Sequence, residues 1–299
     1  MKLISWVSIL IVITFFGCKN SSSDFTDKKN PSQAAPGAGL LLSQYKSLDD
    51  LKSVITISYL NDSTSVRLSS RYHNEEVVND LEPGVSQDDL SKAAKGNFWN
   101  KLWICMKCPF VITHKNALTS IENLVRRKDE VFGHFDVAFY DLADAMAQHI
   151  SDEDKMNLSE KELSDKGYLN SFDHIISQTF MTSIFSEPVA DFVGDAHELS
   201  TMPELLTGKF SDEEISDVDL GPTDNYLDLI NNEWGQKLGE ALQKKYGINK
   251  KTIWTPELLA NYLNDIATYN SWVFKIAFKP FTPDEELIIR FVAKINNVI

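Results

Sequence analysis

Three short stretches carry the side chains that could do chemistry: Asp173-His174, His197-Glu198, and Asp228 with Asn231-Asn232. Read as a hydrolase set, His174 or His197 is the general base and Asp173 or Asp228 orients it. Asn231 or Asn232 then donates to an oxyanion or positions substrate. His, Glu and Asp could equally coordinate a metal. No second histidine follows His197-Glu198 to complete an HExxH motif. No GxSxG is present, so Ser171 or Ser177 as nucleophile would stand without a motif. The sequence therefore assigns no metal site and names no cofactor. The competing reading is a buried polar network, in which Asp, His and Asn on neighbouring helices satisfy one another and fix helix register. Such networks are commoner than active sites. The first expectation is a non-catalytic binding or structural protein, and the alternative is a hydrolase. His73, His114, His134 and His149 show no partner pattern.

Cys105 and Cys108 form a lone CxxC before Pro109. Without a second CxxC, a four-cysteine zinc site is excluded within one chain. A thioredoxin-like pair expects a helix to start at the motif, whereas here a helical pattern ends there. A local disulfide is the expectation for an exported chain, with free thiols and redox or metal work as alternatives.

The elements that must position these residues are helices. Apolar periodicity and end signals place them at Leu169–Phe185, Pro188–Leu199, Asp224–Tyr246, Pro256–Tyr269 and Pro283–Val298. Val137 to Ile150 is another. Ser86 opens a helix running toward Lys107, and Thr113 caps the next. Thr255-Pro256 and Thr282-Pro283 set a cap residue before a proline at the first helical position. Glu285 stands three residues after Thr282, completing a capping box. Val54 to Leu68 is rich in β-branched residues and reads as a hairpin or a frayed helix. The fold class is all-α, a single multi-helix domain.

On the first site helix, Asp173 falls inside the apolar face of Leu169, Phe172, Ile176, Phe180 and Ile184. A carboxylate there must be paired or neutralised, and the partner is expected from another helix. On the third, Asp228, Asn231, Gly235 and Gly239 line up beside the stripe of Leu227, Ile230, Trp234 and Leu238. Each glycine in a helix costs about 1 kcal/mol relative to alanine, so two on one line point to close approach by a neighbour. On the second, Val189, Phe192, Val193 and Ala196 form the inner face. His197 lies on its shoulder, and Glu198 points away on an ideal wheel. His174, His197, Asp228 and Asn231 are the leading site candidates, with Asp173, Glu198 and Asn232 as accompanying binding residues.

The same helices carry a family likeness. Asn170-Ser171-Phe172-Asp173-His174, then His197-Glu198, then Leu227-Asp228-Leu229-Ile230-Asn231-Asn232-Glu233-Trp234-Gly235 resemble the blocks D-A-F-R-H, H-E and M-D-L-x-N-N-x-x-G. These mark a bacterial family known as domain of unknown function 6973. The resemblance spans roughly residues 110–245 and implies a site without a reaction. Asp173 stands where the family has arginine, which reverses a charge in that site.

The first residues read as an address. Met1-Lys2, the apolar run from Leu3 to Phe16, and Gly17-Cys18 have the layout of a secretory signal. The run is shorter than the roughly 20 residues a transmembrane helix needs. Thr14-Phe15-Phe16-Gly17-Cys18 resembles the lipobox of bacterial lipoproteins. The resemblance implies cleavage before Cys18, its lipidation, and attachment to the cell envelope with the leaflet undetermined. Several acyl chains on one residue provide firm anchoring. Lys19 to Gly39 is dominated by Ser, Asn, Lys, Pro and Gly and reads as a tether.

The expected organisation is a signal peptide (1–17), the lipidated cysteine and tether (18–39), an N-terminal helical extension (40–109) and a helical domain (110–299). Of 299 residues, 43 are Asp or Glu and 29 Lys or Arg, a net charge of -14. An acidic surface opposes nucleic acid and a polybasic grip on anionic lipid. The membrane is then a partner through the anchor alone, and any protein or envelope partner stays unnamed.

Overall fold

The computed structural model describes residues 38–60 and 64–299. The expected signal peptide, Cys18 and most of the expected tether lie outside these residues. The described chain is mainly helical, as expected, and carries one small three-stranded sheet where at most a hairpin was expected. Strands β1 (Ile55–Leu60), β2 (Ser65–Tyr72) and β3 (Glu75–Leu81) form an antiparallel sheet in the order β1-β2-β3. The expected hairpin over 54–68 holds β1 and the start of β2, but Val66 pairs onward with Leu81 of a strand not foreseen. The stretch 40–109, expected to be helical, carries this sheet ahead of its helices.

Nine helices of nine or more residues follow: α1 (Gln87–Lys95), α2 (Phe98–Lys107), α3 (Lys115–Val125), α4 (Phe139–Gln148), α5 (Asn170–Ile184), α6 (Glu187–Thr201), α7 (Pro222–Tyr246), α8 (Pro256–Phe274) and α9 (Glu286–Val298). Local chemistry explains most ends. Ser86 caps α1 in a capping box with Asp89. The helix expected to reach Lys107 breaks at Gly96, and Asn97 caps α2 by accepting from the backbone of Trp99 and Asn100. Thr113 does not cap α3. It ends a short helix, Pro109–Thr113, and bonds to the Phe110 carbonyl. Thr255 caps α8 as its spacing predicts. Glu285 bonds the Thr282 backbone N–H at 2.6 Å, but this turn precedes α9, whose N-cap is Glu285, so Thr282 and Pro283 are not its cap and first residue as expected.

The main apolar core runs from Ala38 and Leu40–Leu42 through the sheet to Ile288 and Ile295, and a smaller cluster of Val85, Ala93 and Ile104 sits under α1 and α2. Ala38 is fully buried, and the Tyr269 hydroxyl donates to its carbonyl, so the packed chain starts before the expected tether ends. At the centre, α5 lies against α7. A Cβ on Gly235 would sit 2.8 Å from the Ile175 carbonyl oxygen, and one on Gly239 2.7 Å from that of Thr179. Real Cβ atoms do not come so close, so glycine sets the approach. Thr179 and Ser183 hydroxyls then donate to the Gly235 and Gly239 carbonyls at 3.0 and 2.7 Å. At the other end, the buried Lys294 ammonium of α9 donates to Asp136 (2.7 Å) and to the carbonyls of Arg126 and Val137.

Candidate functional site

The polar cluster forms where α5, α6 and α7 meet. His174 projects from α5 with Asn232 Oδ1 2.9 Å from its Nδ1 and Asp228 Oδ2 3.3 Å from its Nε2. Asn170, one turn earlier, donates to Asp228 Oδ1 at 2.8 Å. Asp228 and Asn232 are one turn apart on α7 and so share a face. Glu198 enters from α6, 2% exposed, and its Oε1 has no hydrogen-bond partner. Ligand-capable atoms of His174, Glu198 and Asp228 all lie within 4.8 Å of one another. Gly194 of α6 makes room, because a Cβ there would stand 2.9 Å from Asn232 Nδ2. Asp224, one turn before Asp228, pairs with Lys166 at 2.5 Å.

Electrostatics follow from this layout. Burial alone would lower the His174 pKa, but Asp228, its hydrogen bond, and then Glu198 and Asp173 raise it to about 10. Both ring nitrogens face oxygen acceptors, which is the arrangement of an imidazolium. Burial, then the nearby Asp228 charge, pushes Glu198 well above the carboxylate range. The same causes lift Asp224 to about 7 against the opposing pull of Lys166.

The structure brings together His174, Glu198, Asp228 and Asn232, and it separates the others. Asn231, about 100° round α7 from Asn232, turns to the N-terminal segment instead, accepting from the Leu40 N–H (2.8 Å) and donating to the Leu40 carbonyl (2.9 Å). It clamps the start of the packed chain. Asp173 finds its partner on its own helix, accepting from Ser177 at 3.2 Å, rather than on another helix. The reason is simple geometry: a hydroxyl one turn on reaches the carboxylate without a crossing. His197 lies beside the cluster, its ring 6.5 Å from that of His174, but it is exposed and its Nδ1 is 2.8 Å from Gln87 of α1. Glu198 does not point away as the wheel predicts, because Gly194 and Ala190 give α6 a second buried face.

Cys105 and Cys108 are free rather than joined. Cys105 lies in the last turn of α2, and the Cys108 N–H still bonds the Ile104 carbonyl at 2.8 Å.

A second cluster escaped sequence reasoning. The Asn79 amide of β3 donates to Asp195 (2.9 Å), Glu233 (3.1 Å) and Asp191 (3.4 Å). One NH2 group offers two protons to three carboxyl groups, so the set is short of donors. Burial, and after it neighbouring carboxylates, raises Glu233 to about 9, and Asp195 lies well above its ordinary value. The available signal was Asp191-Asp195 at i,i+4 on α6, with Asn79 standing at an inward strand position.

The chain matches no family model, no curated protein and no solved structure.

Proposed function

We propose that this chain is a lipid-anchored protein of the cell envelope, of a non-catalytic binding or structural kind, in which the α5–α6–α7 cluster clamps three helices. The observation that carries the clamp is His174, with both ring nitrogens on acceptors from α7 while Glu198 closes in from α6. A general base must be unprotonated near the working pH. An imidazole held at about 10 is instead the positive member of a buried charge network. As a general base His174 therefore has weaker support than as a clamp. The three blocks that carry the resemblance to domain of unknown function 6973 supply the members: His174 from the first, Glu198 from the second, Asp228 and Asn232 from the third.

Two features support the envelope address. Residues 19–37 separate Cys18 from the packed chain, enough to let it stand off a bilayer. Helix α2 also exposes an apolar stripe, Leu102, Trp103 and Met106, the last two 51% and 77% exposed, beside Lys101 and Lys107. Amphipathic rings beside lysines suit the headgroup layer. No described helix is long and apolar enough to cross a membrane. Metabolic labelling with a fatty acid tests the anchor: wild type takes the label and Cys18→Ala does not. Equal labelling of both overturns it.

A further inference from the structure

We propose that His174, Glu198 and Asp228 form a binding site for one divalent transition-metal ion, of which Zn2+ is the probe. This rests on reading the cluster as a non-catalytic binding centre and names what it binds. Three independent features converge on the same point between α5, α6 and α7.

The first is the donor set and its spacing. One imidazole and two carboxylates suit zinc and its neighbours rather than calcium, which takes oxygen ligands in larger number. Zn–N and Zn–O bonds of about 2.0–2.2 Å place ligand atoms roughly 3.4 Å apart around a tetrahedral ion. His174 Nε2 and Asp228 Oδ2 already stand 3.3 Å apart, and Glu198 completes a set spanning no more than 4.8 Å. A rotation of the Glu198 side chain, moving its carboxylate by roughly an ångström, closes the remainder.

The second is an unmet demand. Glu198 is 2% exposed, and its Oε1 has no partner among the described residues. The nearby ammonium of Lys166 is committed to Asp224 at 2.5 Å. A buried carboxylate oxygen without a donor is costly, and a cation at the shared point satisfies it.

The third is the outer ring of hydrogen bonds. Metal-bound histidines hold their other nitrogen on an acceptor, which fixes ring orientation. His174 Nδ1 donates to Asn232 Oδ1, leaving Nε2 aimed at the centre. Asn170 holds Asp228 by Oδ1, leaving Oδ2 aimed at the same centre. Gly194 gives Asn232 the space to stand there. On binding, the ion takes the place of the Nε2 proton of His174, which leaves to solvent, and an ion of charge +2 faces two carboxylates.

The test is equilibrium dialysis of the chelator-stripped chain against Zn2+, with bound metal read by mass spectrometry. Wild type is expected to hold one equivalent. Glu198→Gln, close in shape, is expected to bind at least tenfold more weakly with an unchanged circular dichroism spectrum. Asn232→Ala should weaken binding about tenfold. The Cys105→Ser/Cys108→Ser variant is expected to keep full binding. Absence of bound zinc in wild type overturns the inference, as does zinc kept by Glu198→Gln or lost with the cysteines. If zinc fails to bind while loss of Asp228 still destabilises the fold, the metal site falls and the clamp stands.

Discussion

At the scale of single residues, α7 shows how neighbours in sequence take unrelated tasks. Asn231 and Asn232 lie about 100° apart around a helix that is buried on nearly every side of its first half. One holds the Leu40 backbone and the other holds His174. Asn231→Ala leaves both the Leu40 N–H and one bond to its carbonyl unmet, and should cost roughly 2–3 kcal/mol in urea unfolding. A cost below about 0.5 kcal/mol would remove the clamp on the N-terminal segment. The Asn79 cluster makes a different prediction. Glu233 has a folded pKa of about 9, above its ordinary 4.5. A carboxyl raised in this way stabilises fully below the unfolded value, and the contribution is lost as pH rises through the folded one. His174, raised from 6.5 to about 10, acts in the same direction. Stability should therefore fall from pH 5 to pH 9, and Glu233→Gln should flatten that fall. A wild-type stability that rises over this window contradicts the assignment.

Elements were legible where one face decides their pattern. Helix α5 keeps its expected bounds to within one residue; α8 starts at its predicted cap Thr255 but runs on to Phe274, and α9 starts at Glu286, beyond its predicted proline. Elements with two packed faces were less legible. On α6, Ala190, Gly194 and Glu198 face α5 and α7 while Asp191 and Asp195 face the sheet, so a single-stripe wheel put Glu198 outside. Strand β3 reads as acidic and polar, and its inward set is Val77, Asn79 and Leu81. The asparagine that interrupts the apolar alternation is the one that serves the carboxyl cluster. No local pattern announces a residue whose partner lies more than 100 positions away. Helix α9 carries its own prediction. Lys294 and Asp136 are both almost fully buried, and Lys294 is held by three acceptors. Asp136→Ala strands the ammonium and should cost about 3–5 kcal/mol, whereas the paired replacement Asp136→Leu with Lys294→Met should cost less than the single change. Calorimetry of the three proteins decides this, and a single variant as stable as wild type removes the pair from the account.

At the scale of the molecule, one apolar core supplies most of the stability and buried polar clamps select the arrangement of its helices. The glycine-lined contact of α5 with α7 brings the chains close, and the hydroxyls of Thr179 and Ser183 fix their register. The cluster at His174 then adds α6. Its site residues were legible as types in the sequence, but their convergence depends on which of several buried faces each helix turns to the others. The central claim is that His174 and Asp228 are coupled members of a clamp. A double-mutant cycle in chelator at neutral pH tests it most directly, using His174→Gln, Asp228→Asn and the double variant in urea unfolding. Each single change is predicted to cost about 3 kcal/mol, and the double variant less than the sum of the two by at least about 1 kcal/mol. Single costs below about 0.5 kcal/mol, or costs that simply add, would contradict it.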